Sequence, residues 1–296
     1  MPRSDSPDLA GAVNAWFADA ARPLPWRAAE VSPWAVLVSE FMLQQTQVAR
    51  VVPRWEAWID RWPTPATLAA EPPAAAVRAW DRLGYPRRAL WLHRAAVEIV
   101  ERHGGEVPDG LDDLLALQGV GPYTARAIAA FAFGRRHPVV DTNTRRVIAR
   151  AVLGQAEPGP PSTARDLAAM SALLPETDAA ARVFNAAAME LGATVCTARA
   201  PRCDACPIAE TCAWRRAGYP AYDGPRKAAQ AGFAGSDRQV RGLVMRELRA
   251  AHRPVTGGEL ASVWPDAAQL ERAIGGLVAD GLAVADDGGA LSLPDA

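Results

Sequence analysis

Four cysteines fall in one short stretch, Cys196-x6-Cys203-x2-Cys206-x5-Cys212, and the chain has no others. Thiolates gathered this way suit a metal centre, zinc or iron–sulfur. Disulfide-forming cysteines of an extracellular chain are more often spread across the fold. A structural zinc site usually takes two tight Cys-x2–4-Cys pairs. Here only Cys203 and Cys206 are tight, and the wider outer spacings favour a cubane cluster, whose corner irons stand farther apart than four ligands on one ion.

Two carboxylates stand out elsewhere. Glu40 lies inside "AVLVSEFML", with Val36, Leu37, Val38, Phe41, Met42 and Leu43 around it. On a buried face its charged form is costly, so its pKa is expected to rise. Gln44 and Gln45 follow, and their amides can hydrogen-bond outside the chain. Asp141, in "HPVVDTNTRRVIAR", follows an apolar pair and opens a helical stretch. It is placed to cap that helix. Backbone donors and the helix dipole are expected to keep it ionised, and a fixed anion can stabilise a developing cation.

The elements that must position these groups read as helices almost throughout, because apolar residues recur at three and four. The pattern predicts helices over 8–21, 34–47, 51–62, 73–82, 87–103, 111–117, 122–133, 142–153, 162–174 and 178–191. In "LQGVGPYTARAIAAFAFG", Gly119 and Gly121 bracket Val120, and Pro122 suits the first position of the next helix. Backbone N–H groups at such a turn form an anion site, with DNA phosphate the natural ligand, and Arg126 can add charge there. The whole stretch reads helix–hairpin–helix.

The cysteine spacing, directly after a helix, resembles the 4Fe–4S loop of the endonuclease III and adenine-glycosylase group of DNA repair enzymes. The order helix–hairpin–helix, Gly/Pro-containing loop, Asp resembles the helix–hairpin–helix glycosylase superfamily. "LPWRAAEVSPWAVLVSEFMLQQTQV" and "FNAAAMELGATVC" extend the likeness to adenine DNA glycosylases of the MutY type, over roughly 15–219. This implies an all-α fold of two helical lobes with a 4Fe–4S loop held by Cys196, Cys203, Cys206 and Cys212. It implies base excision repair of double-stranded DNA carrying adenine opposite 8-oxoguanine or guanine. Glu40 would protonate the leaving base and Asp141 would steady the sugar cation. Tyr123, Arg27, Asn143 and Glu190 match family positions around the flipped nucleotide. Gln44, Gln45 and Thr46 fall in the matched S-E-x-M-L-Q-Q-T-Q-V run on the substrate side.

One discriminator and three departures refine the likeness. Tyr123 stands where bifunctional endonuclease III has a Schiff-base lysine, and Lys227 is the only lysine in the chain, which implies a monofunctional enzyme. In "RLGYPRRAL", Tyr85 would be the wedge pushed into the duplex, but Pro86 replaces a second Tyr of the family motif. Thr142 replaces a Gly, which is tolerable if its φ is negative. The tail departs furthest. From Gly232 onward about 65 residues hold nine acidic and six basic side chains, too few residues for the usual Nudix-like domain. Their pattern predicts three helices and a β-hairpin, a small winged-helix-like domain. The expected division is 1–218 for the glycosylase, 219–235 for a Gly/Ala/Pro-rich linker and 236–296 for this module.

The chain has 296 residues, half of them hydrophobic, with a net charge of −1. A sizeable core is available, and any polyanion site must be a local patch. No apolar run approaches the ~18 residues of a membrane span, and the start lacks a signal-peptide core. A cytoplasmic monomer is expected. A mismatch or damaged-pyrimidine glycosylase, or a non-catalytic iron–sulfur DNA-binding regulator, are the other readings compatible with these motifs.

Overall fold

The computed structural model describes residues 8–225 and 232–295. The chain opens with α1 (Leu9–Ala20), followed by a short 3-10 turn at Pro25–Arg27, α2 (Pro33–Leu43) and α3 (Val48–Arg61). Next come α4 (Pro65–Ala69), α5 (Pro73–Trp80) and the long α6 (Arg87–His103). α7 (Leu111–Leu115) and α8 (Pro122–Phe131) flank the glycine hairpin, and α9 (Thr142–Ala151), α10 (Thr163–Leu173) and α11 (Asp178–Thr194) follow. After the cysteine loop and α12 (Ala213–Arg216), the tail forms α13 (Asp237–Ala250), α14 (Gly257–Ala261) and α15 (Ala267–Ala279). Its strands β1 (Val284–Ala285) and β2 (Leu291–Ser292) pair antiparallel, with Ala285 opposite Leu291. Among the described residues no helix is long and apolar enough to cross a membrane. Of the expected linker, residues 226–231 lie outside the described residues.

Helix ends follow local chemistry. Pro122 starts α8 after Gly121, where its missing N–H is no loss. Gly104, at φ 62°, terminates α6, a backbone conformation that costs glycine little. Thr256 and Glu259 form a reciprocal capping box on α14. The helix expected over 34–47 ends early, because Gln45 takes φ 55° and α3 begins already at Val48. Gln44, Gln45 and Thr46 therefore sit on a turn rather than on a helix face. α4 and α12 are too short for periodicity to reveal.

The described residues fall into two compact units. One combines 8–36, Asp109–Leu115 and 120–225. Its core joins Val13 of α1 with Val147 and Ile148 of α9, Met170 of α10, and Phe184 and Leu191 of α11, and Cys196 and Cys206 pack against it. The other combines 37–108, 116–119 and 232–295. Leu37, Phe41 and Met42 of α2 are fully buried there, as are Trp58, Trp62 and Trp80. Trp58 meets Trp62 and Trp80 edge-on, with ring centroids 4.6 and 5.8 Å apart. In this unit α4 and α5 pack on α6, and α13 packs on both α15 and α5.

Candidate active site and cluster loop

Asp141 caps α9. Its Oδ1 accepts the Thr144 N–H at 2.7 Å, and its Oδ2 accepts Asn143 Nδ2, also at 2.7 Å. Both oxygens are thereby oriented. Asn143 Oδ1 in turn accepts Arg146 Nη2 at 2.8 Å. Arg146 also donates to the Gly192 carbonyl at 2.6 Å and to the Cys196 carbonyl at 2.7 Å. The extended segment entering Asp141 is held by one buried amide. Val139 N–H donates to Asn185 Oδ1, and Asn185 Nδ2 donates to the His137 carbonyl, each at 2.9 Å. Gly192 permits this arrangement, because a Cβ there would lie 2.7 Å from both the Cβ and the carbonyl oxygen of Asn143. Thr142 is the first residue of α9, and its φ is negative.

Tyr123, in the first turn of α8, packs against a small apolar cluster of Ala127, Ala130 and Val139. Arg126 Nη1 folds back to the Pro122 carbonyl at 2.9 Å. In the hairpin, Gly119 has φ 80°, and an added Cβ would meet Trp91 Cβ at 2.7 Å and Phe41 at 3.0 Å. A side chain is excluded there on both counts. Val120 is buried. Gly121 faces open space, with no atom within 4 Å of a built Cβ.

Glu40 is only 5% exposed, inside the apolar face of α2 between Ser39 and Phe41, both fully buried. The turn after α2 is organised by Arg88, which is itself only 4% exposed. Its guanidinium donates to the carbonyls of Phe41 (2.8 Å), Gln44 (2.5 Å) and Gly84 (3.1 Å) and to Thr46 Oγ1 (3.1 Å). Burial pulls its pKa down to about 10. Arg88 also lies over the rings of Trp80 and Tyr85, 5.3 Å from each centroid. Tyr85 is 53% exposed and has φ 49°. Nothing in its sequence neighbourhood marks Arg88 as buried, since Arg87 beside it is exposed.

Glu190 is fully buried. Arg22 Nε meets its Oε1 at 2.5 Å, and Arg22 Nη2 and Arg27 Nη2 meet Oε2 at 3.0 and 2.9 Å. Burial alone would raise the Glu190 carboxyl, but the two guanidiniums outweigh it and hold it below the usual carboxylate range. Arg27 and Glu190 thus meet in one ion-paired cluster. Arg22 completes it, although it lies outside the L-P-W-R run that draws the eye to Arg27.

Cys196, Cys203, Cys206 and Cys212 line one cavity together with Arg150 and Trp214, and all four are free thiols. Among the described residues no three His, Cys, Asp or Glu side chains converge on a single metal ion. Four sulfurs around a shared cavity match the donor set of a multi-iron cluster. Arg150 Nη1 donates to Cys196 Sγ at 3.4 Å and to the Thr197 carbonyl at 2.8 Å, and Nη2 donates to the Ala198 carbonyl at 3.1 Å. Burial pushes the Cys206 thiol up to about 11 and raises that of Cys196. A bound cation would reverse that direction, because coordination favours thiolate.

Residues 38–171 match the model of the HhH-GPD superfamily base excision DNA repair proteins, and 196–212 match the iron–sulfur binding domain of endonuclease III. An adenine DNA glycosylase of Mycobacterium tuberculosis is 54% identical over 281 residues, covering 95% of this chain and 91% of the relative. A thymine/uracil-DNA glycosylase of Pyrobaculum aerophilum is 34% identical over 213 residues, covering 71% of this chain and 92% of its own length. The solved structure of a thermostable thymine-DNA glycosylase superposes with a TM-score of 0.63 at 26% identity, covering 70% of this chain and 95% of that one. The capped aspartate, the glycine hairpin and the four-cysteine loop are thus accounted for together: the chain is a base excision DNA N-glycosylase with a 4Fe–4S loop and belongs to the adenine DNA glycosylase family.

Proposed function

We propose that the chain removes adenine paired with 8-oxoguanine or guanine, acting as a monomer on cytoplasmic double-stranded DNA. The carrying observation is the contrast between its two carboxyl groups. Glu40 is buried in an apolar face, whereas Asp141 is tied at a helix start by donors to both oxygens. Such a pair divides the work of glycosidic cleavage. Glu40 gives its proton to the adenine ring as the bond from the sugar C1′ to the base breaks, and the bonding electron pair leaves with adenine. The oxocarbenium-like sugar is stabilised by the Asp141 carboxylate, with or without a transient C1′–O bond. Water then adds at C1′ and gives a proton to the Glu40 carboxylate, which restores the acid and leaves free adenine and an abasic site. Asn143 holds Asp141. Tyr123, packed against Ala127, Ala130 and Val139, offers no amine for a Schiff base.

Around this chemistry, Gln44, Gln45 and Thr46 present polar groups toward the extruded base, and Tyr85 enters the stack left behind. The hairpin Gly119-Val120-Gly121, with Arg126, receives a backbone phosphate. Arg27 and Glu190 buttress the nucleotide pocket as an ion-paired unit. Cys196, Cys203, Cys206 and Cys212 hold the cluster, which when bound ties the 196–212 loop together through iron–thiolate bonds.

A panel of duplexes carrying A·8-oxoguanine, A·G, T·G and thymine glycol tests this reading. Strand breaks are expected from the two adenine duplexes alone, and only after alkali. Cleavage of T·G in preference would favour the second reading, which the thymine/uracil-DNA glycosylase relative motivates. Breaks without alkali would rule out the monofunctional assignment.

Gly192→Ala is a distant probe of the same site. The added methyl must push Asn143 aside, and Asn143 fixes Asp141. Excision is expected to slow by about 10- to 100-fold, as for a catalytic group displaced by a fraction of an ångström to 1 Å. The overpacked helix contact should also cost ~1–3 kcal/mol of stability. Single-turnover kinetics and a thermal melt read the two effects. Wild-type values in both would show that this close approach carries no functional weight.

A further inference from the structure

The loop between α5 and α6 is short and strained. Asp81 (φ 45°), Gly84 (φ 87°) and Tyr85 (φ 49°) all take left-handed backbone. Two non-glycine residues in that region within five positions persist only where the surroundings over-determine them. Much of the restraint is local. Trp80 Nε1 donates to the Gly84 carbonyl at 2.9 Å, Arg88 reaches the same oxygen at 3.1 Å, and Arg54 pairs with the Asp81 carboxylate.

The remaining restraint comes from the C-terminal module, far along the chain. Arg249 of α13 donates Nη1 to the Asp81 carbonyl at 2.6 Å. In return, Arg78 of α5 donates Nη2 to the carbonyl of Ala251, which closes α13, at 3.2 Å. At the other end of the loop, Arg87 pairs with Asp280 at 3.2 Å, and Arg241 of α13 holds the same carboxylate. The module therefore grips the loop before and after Tyr85, while the tyrosine itself stays half exposed. Its acidic balance, nine acids against six bases from Gly232 onward, does not suit a groove-reading surface.

We infer that the C-terminal module braces the Asp81–Tyr85 loop, and that Arg249 is the positioning residue that sets the wedge for opening the mispair. This rests on the reading of Tyr85 as the side chain that enters the duplex. On that reading, a loosened loop opens fewer mispairs, and excision slows in step with the flipped fraction.

The test uses the full chain and a duplex with 2-aminopurine next to a mispaired, non-cleavable 2′-fluoroadenosine, whose fluorescence rises on unstacking. Arg249→Met is expected to lower the fluorescence change and the single-turnover excision rate on a matching cleavable duplex together, by about tenfold, the lower end for a charged hydrogen bond. Arg249→Lys, which can still donate to the carbonyl, should recover much of both. Arg78→Gln repeats the measurement from the other side of the contact if Arg249→Met does not fold, as judged by its melt. Folded variants with wild-type fluorescence and rate would overturn the brace. Tyr85→Ala separates the two ideas. If it abolishes the fluorescence change while Arg249→Met does not, only the brace fails. If it leaves the change intact, the wedge reading fails and the brace falls with it.

Discussion

Glu40→Gln should reduce adenine excision by about 10³- to 10⁴-fold, the upper part of the range for a lost general acid, while duplex binding survives. Gln matches Glu in shape, and the site is a closed part of α2 in which Ser39, Phe41 and Met42 are fully buried. Packing should therefore hold, and the change removes chiefly the proton. The DNA contacts proposed for the hairpin and the Tyr85 loop do not depend on it. Single-turnover excision on A·8-oxoguanine and A·G duplexes, with gel-shift affinity on the same DNA, reads both quantities. A variant within tenfold of wild type in rate would dismiss Glu40 as the acid. A variant that also loses affinity would point to misfolding rather than lost chemistry, and a melt would reveal it.

Asp141→Asn should be nearly as severe, and its damage should spread. Asn can still accept the Thr144 N–H as a cap. Its amide nitrogen then faces Asn143 Nδ2, 2.7 Å away in the present arrangement, so two donors meet. Flipping Asn143 relieves that clash only by turning its NH₂ toward Arg146 Nη2, which now donates to Asn143 Oδ1 at 2.8 Å. The substitution therefore removes the anion proposed to steady the sugar cation and leaves one polar contact frustrated on either choice. Excision is expected to fall by about 10²- to 10³-fold or more, with ~1–3 kcal/mol lost in stability for the unsatisfied group. Asn143→Ala in the same background separates the parts. It should restore stability but not rate, and a recovery of rate would refute the electrostatic role of Asp141.

Much of this was legible in the sequence where chemistry is local. Asp141 at a helix start, Pro122 after Gly121 and the cysteine spacing each announce themselves within a few residues. The capped ends of α6, α9 and α11 lie within a few residues of the predicted limits. The end of α2 was illegible. Periodicity carries on through Gln44 and Gln45, and the turn that Gln45 makes there is held by a guanidinium 44 to 47 residues away. The partner of Glu190 was half visible, since Arg27 stands in a motif whereas Arg22 does not. Gly192 reads as a weak helix residue until α9 is seen lying against it. Sequence patterns report what a residue does to its own segment, and these three positions act on another.

The guanidinium of Arg88 has a further bearing on how the chain comes to be folded. The carbonyls of Phe41 and Gln44 remain without this donor until α6 has been synthesised and brought back to them. On the ribosome, the turn that presents Gln44–Thr46 is therefore completed only after a stretch more than 40 residues downstream has emerged. At roughly 5–20 residues per second that synthesis takes seconds, whereas a helix forms in about a microsecond or less. The turn is thus finished only once α6 has docked on it, and a chain stalled before Arg88 would hold Glu40 on an unfinished wall.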